Sequence, residues 1–315
     1  MIWGELCIFA YMQKIGTWLV KGLLRLLGLL PLRAHYALGR FVSWLAEDVV
    51  HYRRDVVIHN LTKCFPDTNV WDLKPIRKAF YRHFGELVAE TVWFGGCRDA
   101  ERLHRQRLVE VENPEVAAHL FEVSPSMVVM YSHCGNWELY GGIESYNYTD
   151  TPLPFTEQNY CVVYLKQSEM WDDILRDNRF APLKDPEHFP GYIESRDLIR
   201  YAFEPRGEKK VYNVNTDQRP YFDSPANMDV DFMGQRVQTM TGAAALARKL
   251  GLSVAYLTMR SEGRGHYVMR YTPICEDASR MSVQDIMQQY YKLLEQDIRE
   301  QPGNYLWTHQ RFART

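Results

Sequence analysis

The 315-residue sequence predicts an α/β domain that carries a helical N-terminal segment. Three observations predict it. The first hundred or so residues have helical periodicity. Beyond about residue 120, short apolar runs bounded by Pro and Gly alternate with helical stretches. Residues 1–33 separate a basic stripe from a Leu-rich face. The composition, 46% hydrophobic and 24% charged, lies in the normal globular range. It argues against a disordered, collagenous or polytopic membrane protein. A net charge of -2 argues against a general nucleic-acid binder.

The N-terminal segment comes first in the chain. Glu5 stands where a signal peptide would be basic, and no small-residue cleavage site follows the apolar run. Lys14, Lys21, Arg25 and Arg33 interrupt every stretch that could span a bilayer, which needs about 20 apolar residues. At about 100° per residue, Lys21 and Arg25 fall within about 20° of Lys14, and Leu19, Leu23, Leu26, Leu27 and Leu30 fall opposite. These four cations against Glu5 give residues 1–33 a net +3 and leave -5 for the remainder. A basic stripe against a wide apolar face suits a helix lying in a membrane interface; the alternative is a helix packed on the domain. We therefore divide the chain into a membrane-associating segment, 1–33, and a folded domain, 34–315.

The elements of the domain follow in order. Helices are expected at 35–50 and at 72–95, the latter closing at Gly95-Gly96. From 74 to 107 basic residues outnumber acidic ones eight to four, a face for solvent or for anionic headgroups. Ser126–Tyr131, Cys161–Leu165, Val211–Asn215 and Val230–Phe232 are expected strands. Residues 241–250 form a small-residue helix. Ser253–Met259 and Tyr267–Tyr271 are two further strands around a Gly-rich turn, and 282–300 is the last helix. In α/β sheets ligands bind beyond the carboxyl ends of strands.

The six cysteines are widely spaced, with no CxxC pair or Cys/His cluster. Zinc, iron–sulfur and disulfide frameworks therefore have little support. No metal or organic cofactor is expected.

The first apolar strand ends in Ser132-His133-Cys134-Gly135-Asn136-Trp137-Glu138. Of the ten His residues only His133 has an acid five positions on. On one helix the two would lie about 140° apart. They meet only if His133 precedes a helix and Glu138 sits in its first turn, and Gly135 supplies the turn. Glu138 would then accept from one ring nitrogen and leave the other free to take a proton. The backbone amides of Gly135 and Asn136 are the local candidates to stabilise an oxyanion. Cys134 as a nucleophile is disfavoured, because adjacent side chains on extended backbone point to opposite faces.

This string resembles the HxxxxD/E signature of the glycerolipid acyltransferases, and the wider HxGNWE resembles the lipid A biosynthesis acyltransferase family. Other blocks agree in order. Arg53-Arg54, Asn60-Leu61 and Cys64-Phe65-Pro66 resemble its upstream R, NL and CFP block. Asp217-Gln218 resembles its DQ motif. Phe232, Gly234 and Thr241–Ala247 resemble its FxG and TGxAxLA segment. Pro302 with Trp307–Phe312 resembles its C-terminal block. Arg179 stands at a family Arg position, although the Gly that usually follows is missing. Ser261–Arg264 is similar to an EGxR motif of glycerophosphate acyltransferases, but its context makes it a hairpin turn.

The resemblance implies a central mixed sheet flanked by helices. It implies acyl transfer from a thioester of acyl carrier protein, or of coenzyme A, to a membrane lipid acceptor of lipid A type. The site would lie at the cytoplasmic face of the bacterial inner membrane. His133 would be the base and Glu138 its partner. Arg179, Asp217, Gln218, Asn136 and Gly135 would bind substrate, Arg179 at a phosphate and Asp217 orienting the site or the acceptor. Alternatives are another lipid acceptor (lysophospholipid, aminolipid or phosphoglycolipid), thioester hydrolysis without transfer, and a non-catalytic lipid-binding peripheral protein.

Overall fold

A computed structural model describes residues 16–97, 100–166, 169–204, 207–220 and 226–312. Helices α1 (residues 16–28) and α2 (Leu32–Trp44) are followed by a wide turn at Leu45–Val49, then α3 (Arg54–Cys64), α4 (Leu73–Cys97) and α5 (Ala100–Gln106). A seven-stranded sheet follows, of β1 (Val109–Val111), β2 (Met127–Tyr131), β3 (Tyr160–Tyr164), β4 (Tyr192–Glu194), β5 (Val211–Asn215), β8 (Ser253–Gly263) and β9 (His266–Cys275), in the order β1-β9-β8-β2-β5-β3-β4. Only β8 and β9 pair antiparallel. The mixed sheet flanked by helices is the architecture that the resemblance implied.

Strand β2 sits near the middle and is buried at all five positions. Val128 and Met130 face one core with α8 (Leu198–Phe203), α9 (Gly242–Leu250) and α10 (Val283–Glu300). Met127, Val129 and Tyr131 face the other, with α6 (Pro114–Val123) and the 3₁₀ segment Trp137–Tyr146. Burial on both faces explains why β2 is an unbroken apolar run.

Two expectations need correction. The expected strand at Val230–Phe232 is real, as β6 (Met228–Phe232), but it lies outside the main sheet and pairs with β7 (Gln235–Thr239) in a separate hairpin. Gly95-Gly96 do not end α4. The helix passes through them, because a side chain at Gly96 would strike the Leu24 carbonyl of α1, and one at Gly95 would strike Asn178 of α7 (Glu169–Phe180). The glycines serve close approach, not termination.

Helix α1 has two unlike faces. Trp18, Leu19, Leu23, Leu26 and Leu30 are exposed, while Lys21 turns inward and pairs with Asp173 at 2.8 Å and Asp177 at 3.2 Å on α7. Arg102 further ties the end of α1 down by donating to the Gly28 and Leu30 carbonyls. The segment is therefore packed on the domain by part of its basic face. Its Leu face looks outward, and Leu38, Phe41 and Trp44 of α2 are exposed as well. Lys14 lies outside the described residues. Among those described, no helix is long and apolar enough to cross a membrane.

Candidate active site

The site forms where two neighbouring parallel strands end. Tyr131 of β2 pairs with Asn215 of β5, so His133 and Asp217, each two residues further, arrive side by side. The His133 Nδ1–H donates to Asp217 Oδ1 at 2.7 Å, and the His133 backbone N–H donates to Oδ2 at 3.3 Å. A carboxylate only accepts, so Nδ1 carries the proton and Nε2 keeps its lone pair. The side-chain amides of Asn215 and Gln218 approach that nitrogen at 3.2 and 3.1 Å. Trp137 closes one side, with its ring edge-on at 5.0 Å. Burial drives the Asp217 carboxyl upward, but the neighbouring imidazole and its hydrogen bonds outweigh it and hold the carboxyl below its ordinary range.

Glu138 lies in the first turn after His133, as expected, but has a different partner: its side chain accepts from Arg179 Nε at 2.9 Å. Arg179 also donates to the Tyr192 hydroxyl at 2.9 Å, and Tyr192 stacks on Tyr164 at 3.9 Å. Burial disfavours the guanidinium charge, yet Glu138 and Tyr192 more than compensate, so its pKa is raised. The structure thus places Asp217 on the His133 ring and pairs Glu138 with Arg179.

Gly135 and Asn136 are also placed differently. The Gly135 N–H donates to the Asn304 carbonyl at 3.1 Å, and the Asn136 N–H to Met259 Sδ at 3.0 Å. Neither amide is free for an oxyanion, and Asn136 is fully buried. They shape the turn instead: Gly135 has φ of 63°, where a side chain would be strained and would strike Met259. Cys134 is buried beside Tyr305, and burial pushes its thiol well above the ordinary range.

The C-terminal block locks this turn from the far side. The Leu306 N–H donates to the His133 carbonyl at 3.1 Å. Asn60 donates to the Trp307 and His309 carbonyls at 2.8 and 2.7 Å, and Arg53 donates to the Thr308 carbonyl at 3.0 Å. The upstream Arg/Asn block and the C-terminal block are therefore two halves of one clamp. His309 Nε2 accepts from the Arg219 N–H at 3.1 Å and so steadies the loop carrying Asp217 and Gln218. Burial lowers the His309 pKa to about 4, which keeps the ring neutral and able to accept. Nothing in the sequence singled out Asn215, Tyr192 or the linkage of Asn60 to His309.

The family model for bacterial lipid A biosynthesis acyltransferase matches residues 6–152 and 218–314, well over half of the chain. The chain belongs to this family. As a member of the lipid A biosynthesis acyltransferases it is an acyltransferase, with O-acyl transfer as its general chemistry. Comparison with curated proteins finds no match. The stretch the lipid A acyltransferase model leaves unmatched, 153–217, holds β3, α7, β4 and β5, and with them Arg179, Tyr192, Asn215 and Asp217.

Proposed function

We propose that this protein moves a fatty acyl chain from a thioester, carried by acyl carrier protein or coenzyme A, to a hydroxyl of a lipid A-type acceptor. The observation that carries the reading is the His133–Asp217 pair at the carboxyl ends of β2 and β5 in a chain of this family. Asp217 fixes the tautomer and orientation of His133. The acceptor hydroxyl displaces an amide from Nε2 and gives its proton there as its oxygen attacks the thioester carbonyl. The C–S bond then breaks, and the proton passes from Nε2 to the departing thiolate. Ester and thiol are the products, with no covalent enzyme intermediate. The side-chain amides of Asn215 and Gln218 lie close enough to Nε2 to donate to the developing oxyanion, a role the Gly135 and Asn136 backbone amides are not free to fill. Arg179, held by Glu138, supplies a fixed positive charge for acceptor phosphate.

The outward Leu face of α1 supports a peripheral position on a bilayer, at the cytoplasmic face of the inner membrane, where donor and acceptor meet. One observation keeps a second acceptor class in view: the unmatched stretch 153–217 supplies the Arg179 side of the site. Incubating the full chain with acyl carrier protein thioester and a lipid A precursor in mixed micelles tests both readings. Thiol release matched by acylated precursor supports the first. Thiol release with the precursor unchanged and another membrane lipid acylated supports the second. Thiol release with free fatty acid indicates hydrolysis only.

A further inference from the structure

Behind the catalytic turn lies a buried carboxylate that the chemistry above does not use. Glu90 of α4 is fully buried, and among the described residues no cation pairs with it. Three donors converge on it: the Tyr36 hydroxyl at 2.7 Å from α2, the Asn136 side-chain amide at 2.8 Å, and the Tyr267 hydroxyl at 3.0 Å from β9. Two helical turns earlier on the same helix, His83 is buried with Nε2 3.4 Å from the Gly135 carbonyl. Burial lowers the His83 pKa to about 4, so the ring is neutral there. Its Nε2 faces an acceptor and must be the donor.

Helix α4 therefore holds two successive residues of the turn whose front carries His133. Burying a carboxylate without a cation is costly even when it is hydrogen-bonded, and apolar side chains of similar volume usually pack as well or better. Such a group persists where it fixes a geometry. The Asn136 side chain is what Glu90 fixes. The backbone of that same residue is set against Met259, and the next residue, Trp137, stands edge-on to the imidazole.

We propose that Glu90 is a positioning residue for acyl transfer, holding Asn136 and through it the turn that presents His133 to Asp217. The inference rests on the His133 reading above and concerns its support rather than its chemistry.

The test uses the full chain with Glu90→Gln, Glu90→Leu, Asn136→Ala and the double variant Glu90→Leu/Asn136→Ala. Turnover, KM, thermal melting and the NMR titration of the His133 ring are measured for each. Glu90→Gln is expected to stay within a few-fold of wild type, because its carbonyl oxygen accepts from Asn136 and Tyr267 while its amide donates to Tyr36. Glu90→Leu is expected to lose turnover by about a hundredfold with KM unchanged, the scale of a small misplacement of a catalytic group, and to shift the ring titration. Asn136→Ala should give the same loss, and the double variant should be no worse than either single one. If Glu90→Leu does not fold, the folded Asn136→Ala protein decides the matter. Wild-type turnover with an unshifted ring titration in either folded variant overturns the proposal. So does a loss that follows only the melted fraction. The ring titration needs no substrate, so a protein inactive on every acceptor would defeat the acyl-transfer reading while leaving Glu90 open to this test.

Discussion

Two buried carboxylates grip one turn from opposite sides, and their environments drive them in opposite directions. In front, Asp217 meets an imidazole that can carry charge, and its carboxyl is held below the ordinary range despite burial. Behind, Glu90 meets only hydroxyls and an amide; burial pushes its carboxyl up to about 7 although all three hydrogen bonds oppose the rise. Burial is the largest influence in both cases, and a partner able to carry positive charge decides which way the balance falls. The front carboxylate is suited to stabilising an imidazolium during proton transfer, and the rear one to holding backbone in place.

The sharpest way to break this comparison is to neutralise the front carboxylate. Asp217→Asn keeps the shape but makes the wrong tautomer of His133 as favourable as the right one. It should lower turnover by on the order of 10³–10⁴, as losing an orienting Asp does elsewhere, in protein that is still folded at the assay temperature. His133→Ala should lose at least as much. Steady-state kinetics on both variants checks this. Near-wild-type turnover in Asp217→Asn would remove Asp217 from the orienting role.

Glu138 provides the next test. Because its partner is Arg179, Glu138→Gln should cost only about tenfold, seen as a raised KM for a phosphorylated acceptor rather than a lost turnover. A loss as large as that of Asp217→Asn, confined to turnover, would return the orienting role to Glu138.

These two residues also show how far the site was legible in the sequence. His133 stood out because a rare string follows an apolar strand. Its partner was misplaced because sequence proximity favours Glu138, whereas the true neighbour lies 84 positions away. That pairing depends on Tyr131 lying opposite Asn215 in the β2–β5 register, and periodicity carries no information about register between distant strands. Asp217-Gln218 was visible as a motif but not as a contact. The same limit applies to α1. A helical wheel separates its two faces, but only the packing against α7 shows that Lys21 points inward. The main strands and the long helices were legible because apolar runs and amphipathic periods are local. The short edge strand β4 and the hairpin strand β7, with little apolar pattern, were not.

The opposite pKa directions predict opposite pH windows for stability. The Glu90 carboxyl sits near 7 when folded and about 4.3 unfolded. The native state therefore holds the extra proton between those values, and stability falls as pH rises through that window. The charged and titratable groups around it are Glu86 and His83 on α4, Tyr36 on α2, Tyr267 on β9 and Arg264, which lies against Tyr36. Chemical denaturation of wild type and Glu90→Gln at pH 5 and pH 8 should show wild type losing on the order of 2–3 kcal/mol more across the interval. For Asp217 the folded value lies below the unfolded one. Its contribution is present above the unfolded pKa of about 3.9 and is lost as pH falls through the folded value. The two carboxylates thus act on different limbs of the profile, and equal slopes in wild type and Glu90→Gln between pH 5 and 8 would refute the contrast.

The smallest effect is expected where carboxylates meet a cation at the surface. Asp173 and Asp177 hold Lys21 at 2.8 and 3.2 Å, and although Lys21 and Asp177 are only 17% and 18% exposed, solvent reaches the group through Asp173, which is 40% exposed. Water and salt screen such a pair, so Lys21→Gln should cost no more than about 1 kcal/mol, and less at high ionic strength. Because Lys21 is turned toward α7, the same variant should leave binding to anionic vesicles within about twofold, below the roughly fivefold change (about 1 kcal/mol) expected for a charge at the lipid surface. Leu23→Asp and Leu26→Asp, on the outward face, should weaken vesicle binding far more, since each removes apolar area and adds a like charge. Vesicle co-sedimentation separates the cases. If Lys21→Gln abolished binding while the two Leu variants did not, α1 would face the bilayer with its charges, and its packing against α7 would have to open at the membrane.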